Sequence, residues 1–198
     1  MNPDKPTDFG GDPRPALSVA WRNLTKNQNL RLTEEDLGQT FVDDSVVKLT
    51  DGSGVFATLT VFHGLHCIER LHHYLYFDHY YSTFTEEEKV LLKYHTEHCL
   101  DWLRQYVQCN ADTTPLMMHW IKEGPLPIAK IKEGEHSCVN WERLDEWAAH
   151  RTFVPSDDNM EHPVYGKPYN SSLNKAVGIL HTKGAHFVTS NGTILPDR

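Results

Sequence analysis

The chain has 198 residues, 39% of them hydrophobic, and a mean hydropathy of -0.53. That length gives one domain with room for a core of its own, so metals or disulfides are not needed merely for size. Lys and Arg number 19 against 27 Asp and Glu, and the net charge of -8 argues against nucleic acid and against docking on an anionic membrane surface.

Residues 1–15 are rich in Pro, Gly and Asp and read as a loose arm. They contain no apolar h-region, and no run approaches the ~18 apolar residues of a membrane helix. The expectation is a soluble chain, compatible with the lumenal part of a longer product. Apolar spacing at Ala16, Leu17, Ala20, Trp21 and Leu24 predicts a short helix. Thr33 before Glu34, Glu35 and Asp36 predicts a helix start with acidic residues on the dipole. Residues 45–50 and 55–60 are β-branched runs around Asp51-Gly52-Ser53-Gly54, the pattern of a β-hairpin.

Residues 61–77 have helical spacing at Leu65, Ile68, Leu71 and Leu75. Thr85 and Glu88 form a capping box that opens a long helix over about residues 86–108. Residues 110–115 end it, 116–121 read as a short strand, and Gly124, Pro125 and Pro127 mark a loop. A last helix, about residues 140–150, presents Trp141, Leu144, Trp147 and Ala148 on one face. The fold class is therefore mainly α with a small β-hairpin. It divides into an arm (1–15), a helical domain (16–154) and a polar extension (155–198).

Histidine is the outlier: 13 residues, 11 of them between His63 and His162. One pattern occurs twice, His63-Gly64-Leu65-His66-Cys67 and His95-Thr96-Glu97-His98-Cys99, each on a predicted helix. Residues i, i+3 and i+4 share a helical face, so each motif sets two imidazoles and one sulfur side by side. His73 lies two turns after His66 on nearly the same face. Two such helices packed together bring four imidazoles and two sulfurs to one place, enough for one or two metal ions. Imidazole suits copper, zinc, iron and nickel, and an oxidising compartment leans the choice to copper. The zincin motif, Cys-x-x-Cys knuckles, a Gly-rich phosphate loop and a Gly-x-Ser-x-Gly elbow are all missing from the sequence.

The cysteines are Cys67, Cys99, Cys109 and Cys138. Equivalent motif positions suggest a Cys67–Cys99 disulfide, which leaves Cys109–Cys138. The competing reading makes Cys67 and Cys99 thiolate ligands of a Cys2His2-like zinc site. Sequons at Asn23, Asn170 and Asn191, with four cysteines, point to the secretory lumen or a secreted product. A Cys109–Cys138 bond would tie His136 near the site as a fifth candidate ligand.

The two His-x-x-His-Cys motifs are followed by Leu100-Asp101-Trp102-Leu103-Arg104-Gln105, Cys109-Asn110-Ala111-Asp112-Thr113-Thr114 and His136-Ser137-Cys138 with Trp141 and Trp147. Together they resemble the fungal UstYa-like family, tailoring enzymes of peptide and mycotoxin pathways, over about residues 16–151. The resemblance implies copper-dependent oxidative tailoring: cyclisation of ribosomal peptides, hydroxylation or chlorination. It carries the motif histidines onto His63, His66, His95 and His98, and the later His-x-Cys position onto His136. Many members have an N-terminal membrane helix; none is read in this sequence, so the expectation is a trimmed, a soluble or a differently targeted member.

The leading expectation is a copper oxidase or oxygenase, with O2 and a small-molecule or peptide substrate. His136 or His73 completes the shell, and Trp102 with Tyr74, Tyr76, Phe77, Tyr80 and Tyr81 could line the pocket. Dimerisation with itself or a related protein is the partner expectation, and nucleic acid is excluded. The alternatives are a zinc hydrolase or transferase with Glu97 or Asp101 as general base, and a non-catalytic accessory stapled by zinc or disulfides.

Overall fold

The computed structural model describes residues 7–40, 43–115, 117–120, 124–129, 137–163 and 166–167. Helix α1 (Pro15–Thr25) begins on a proline, where no helical hydrogen bond is lost, and buries Leu17, Trp21 and Thr25. Strand β1 (Leu30–Leu32) leads into the single turn α2 (Glu34–Leu37). The Thr33 hydroxyl accepts from the Asp36 amide, and the Asp36 carboxylate accepts from the Thr33 amide.

Strand β2 (Val55–Ala57) pairs antiparallel with β1, Leu30 opposite Ala57 and Leu32 opposite Val55. The expected hairpin between residues 45–50 and 55–60 forms in part: Lys48 bridges Val55, the Leu49 amide donates to the Gly54 carbonyl and the Phe56 amide to the Val47 carbonyl, each at 2.9 Å. The longer ladder of β2 is with β1, whose Leu30 and Leu32 are core residues. Gly54, at φ 146°, makes the pairing possible, because a Cβ there would collide with the Leu32 carbonyl.

Helix α3 (Thr60–Leu75) comes next, then the single turn α4 (Phe77–Tyr80) and the long α5 (Glu86–Cys109). The Thr85 and Glu88 capping box forms as expected, with the Glu88 carboxylate accepting from the Thr85 amide at 2.8 Å. Strands β3 (Met118–His119) and β4 (Ile128–Ala129) pair antiparallel across the predicted Gly and Pro loop. Helix α6 (Trp141–Ala149) is capped by the Asn140 side chain, which accepts from the Arg143 amide at 3.0 Å.

The core lies where β1, α3 and α6 meet, around Leu30, Leu32, Phe62 and Ala148. Phe62 is fully buried and packs edge to face on Trp141, with ring centroids 5.8 Å apart. The start of α3, which carries the first His motif, is thereby anchored to the rest of the domain.

Residues 7–14 fold back against the domain. Phe9 packs on Trp21 at 5.2 Å, Arg14 donates to the carbonyls of Thr7, Gly10 and Asp12, and His72 Nε2 donates to the Gly11 carbonyl at 2.8 Å. The extension begins with a packed turn: Met160 is buried, and the Thr50 amide donates to the Asn159 carbonyl at 3.1 Å. Among the described residues, no helix is long and apolar enough to cross a membrane.

Candidate metal centre

Helices α3 and α5 carry the two motifs and lie side by side. The first histidine of each motif faces the second histidine of the other. His63 and His98 have ring centroids 5.9 Å apart, and so do His66 and His95. Along each helix the separations are 6.3 Å for His63–His66 and 6.2 Å for His95–His98. The cross-pairing means the helices run antiparallel, with the motifs related by a local two-fold. The four rings form a frame with nearly equal sides. His95 is buried, and the other three are half-buried.

Cys67 and Cys99 sit at the crossing, both at 0% exposure. Neither expected disulfide is formed, since all four cysteines are thiols. Helix packing alone brings Cys67 and Cys99 together, as thiol against thiol. The hydrogen bond to Cys99, and then burial, push the Cys67 thiol far up from its usual range. The Cys67 sulfur also lies 3.9 Å from His63 Nε2. Cys109 and Cys138 are exposed.

A single ion bonded at about 2.0–2.1 Å to four imidazole nitrogens draws the ring centroids to about 5 Å. The observed frame is wider. Among the described residues, no group of three or more His, Cys, Asp or Glu is as tightly gathered as a bound ion requires. The donor set nevertheless fits in kind: four imidazoles on two helices, with sides of 5.9 to 6.3 Å, roughly 1 Å wider than that spacing.

Comparison with known proteins agrees with this pattern. A family profile described as "Mycotoxin biosynthesis protein UstYa" matches residues 1–151. The chain belongs to the UstYa family. It is 26% identical over 151 residues to the UstYa family oxidase phomYc of Diaporthe leptostromiformis, covering 73% of this chain and 59% of that protein. It is 38% identical over 95 residues to the UstYa family oxidase VicYb of Bipolaris victoriae (strain FI3), covering 48% of this chain and 80% of that protein. It is 32% identical over 91 residues to the chlorinase cctP2 of Talaromyces islandicus, covering 46% of this chain and 26% of that protein. The chain spans little more than half the length of phomYc and of its homologue phomYc'. No solved structure matches.

In this UstYa-family chain His73 stands apart from the frame. Its ring stacks on Tyr80 at 4.0 Å, and its Nε2 is 3.9 Å from a Glu69 carboxylate oxygen. Burial, with the charges of Arg70, His72 and His79 adding, pushes His73 down to about 4, and burial raises Glu69. The aromatic run gathers here: Tyr76 lies against His72 at 4.9 Å, and Tyr81 lies 6.4 Å from Tyr80. Of the proposed pocket aromatics, Trp102 has a ring contact with the frame, 4.4 Å from His63. His136, Asn170 and Asn191 lie outside the described residues, and Asn23 is exposed on α1.

The carboxylates considered for zinc chemistry are both exposed on α5. Arg104 at 2.7 Å and Gln105 at 2.7 Å hold the Asp101 carboxylate, and their hydrogen bonds keep it below the usual range. A cleft of about 620 Å³ lies elsewhere, lined by Arg31, Thr33, Glu35, Asp36, Trp147, His150 and Arg151. No frame histidine lines it. Arg151 is committed to Asp36 at 2.7 Å and to the Trp147 face at 4.1 Å. Sequence reasoning missed Gly64 and Tyr106. The available signal was a glycine inside a helical motif, which costs about 1 kcal/mol and calls for a packing reason.

Proposed function

We propose that this UstYa-family chain is a copper-dependent oxidase that tailors a fungal secondary metabolite, with His63, His66, His95 and His98 holding the metal. One observation carries the reading: two identical motifs face each other across α3 and α5, bringing four imidazoles into one frame. The names of the relatives, oxidases and a chlorinase, support an oxidative reaction on a peptide or mycotoxin: cyclisation, hydroxylation or halogenation.

Bound copper supplies one-electron redox chemistry and a site for O2. The chain supplies the rest. The helices hold the four rings in register, and His136 is a fifth ligand from the segment before α6. The Cys67 and Cys99 thiols make a dry, neutral layer at the helix crossing. His73 belongs to the Glu69 and Tyr80 cluster and is left out of the shell. The secretory setting now rests on the sequons at Asn23, Asn170 and Asn191, because the cysteines form no disulfide. Dimerisation with itself or a related chain completes the proposal.

Elemental analysis and electron paramagnetic resonance of the purified protein test it. One or two copper ions per chain, with nitrogen hyperfine structure, are expected. Replacing His66 and His98 together by Ala should abolish that signal and turnover while far-ultraviolet circular dichroism is unchanged. Stoichiometric zinc, or full copper binding in the double variant, would overturn the assignment.

A further inference from the structure

Trp102 occupies one corner of the frame. It lies one turn after His98 on α5, on the side that meets α3. Its ring centroid is 4.4 Å from that of His63, at 76°. This is closer than any spacing between the frame histidines, the shortest of which is 5.9 Å. The indole is held from behind by Tyr106, stacked at 5.1 Å and 15°. It is also held from below by the backbone of α3. A Cβ on Gly64 would come 3.3 Å from Trp102 Cζ3, 3.7 Å from Cη2 and 3.8 Å from Tyr106 Cε1.

Glycine is a poor residue for a helix interior, so its presence at 64 needs a reason. The equivalent residue of the second motif is Thr96, which is buried and donates its hydroxyl to the Leu92 carbonyl at 2.8 Å. The motif itself therefore tolerates a side chain at this position. A Cβ at 64 would press on the indole above it, which would have to give by a few tenths of an ångström.

We propose that Trp102 is a positioning residue for His63, that it sets the plane of that imidazole, and that Gly64 stands in the first motif to admit it. The inference rests on the metal-centre reading for its effect on metal binding, but the ring contact itself can be tested without metal. An edge-to-face neighbour restricts rotation of the imidazole about its side-chain torsions. The Cys67 sulfur near Nε2 restrains the same ring from another side. Partners that orient a metal-binding histidine typically change metal affinity by about 10–100-fold when removed.

The test uses the wild type, Trp102→Leu, Trp102→Phe and Gly64→Ala. In copper(II) titrations followed by electron paramagnetic resonance, Trp102→Leu should bind about 10–100-fold more weakly with a changed spectrum. Trp102→Phe, which keeps an aromatic edge, should recover most of the affinity, and it serves if the leucine variant fails to fold. Gly64→Ala should shift the indole by a few tenths of an ångström and move the spectrum in the same direction as the leucine variant, by less. Unchanged affinity and spectrum in Trp102→Leu would overturn the proposal. If the wild type binds no copper, the oxidase reading fails, and the metal-free arm decides this one. Nuclear magnetic resonance should show His63 ring protons displaced by the indole ring current, with cross-relaxation to Trp102. Absence of both would overturn the positioning role.

Discussion

Cys67 and Cys99 meet thiol to thiol at the crossing of α3 and α5, each fully buried. Their neighbours exclude both water and reagents, and a protonated thiol is a poor nucleophile. A native sample treated with a thiol reagent should therefore titrate two groups quickly, the exposed Cys109 and Cys138. Four should titrate after unfolding without reductant. A count that rises to four only after reduction would show a Cys67–Cys99 disulfide instead.

Phe62 anchors the first His motif to the core through Trp141. Phe62→Ala removes a fully buried ring and should cost about 3–5 kcal/mol of stability, measured by urea unfolding. Much of the damage should register at the frame, because α3 loses the contact that fixes its N-terminal end.

His73 is held neutral, pushed down to about 4 from an ordinary value of 6.5. Between those values the unfolded chain takes up a proton that the folded chain does not. Stability therefore falls as pH drops from about 6.5, and this contribution is fully lost by about pH 4. His73→Gln should flatten the pH dependence of the urea midpoint across that window. An identical slope in the variant would show that His73 titrates normally.

Asp36 behaves in the opposite sense. Its hydrogen bond from Arg151, then that from the Thr33 amide, lower it from 3.8 to about 2. The stabilisation is complete above about pH 3.8 and is lost as pH falls through about 2. Asp36→Asn should lower the Tm at pH 7, and the gap to wild type should close near pH 2. Thermal melts at both pH values check this.

Local rules were legible in the sequence because they act within one turn. The helix start at Thr33 and the capping box at Thr85 form in the fold. The i, i+3, i+4 spacing placed each His pair on one face, and the repeat itself implied that the faces meet. What the sequence hid was non-local. Beside the adjacent run, β2 pairs with β1, more than twenty residues upstream, and hairpin reasoning looks only at adjacent runs. His73 followed the correct helical arithmetic, but an ideal helix drifts about 20° per seven residues. In addition, α4 turns Tyr80 back onto its ring. Cysteine adjacency was readable, whereas its thiol chemistry depends on burial that spacing does not reveal.

The local two-fold of the motifs is broken one helical turn beyond each cysteine. Three residues after Cys99 stands Trp102, and three residues after Cys67 stands Arg70, which donates to the Tyr81 hydroxyl at 3.4 Å. A duplicated unit thus carries an aromatic terminus and a cationic one. The frame has polarity along its length, and its two ends are not interchangeable.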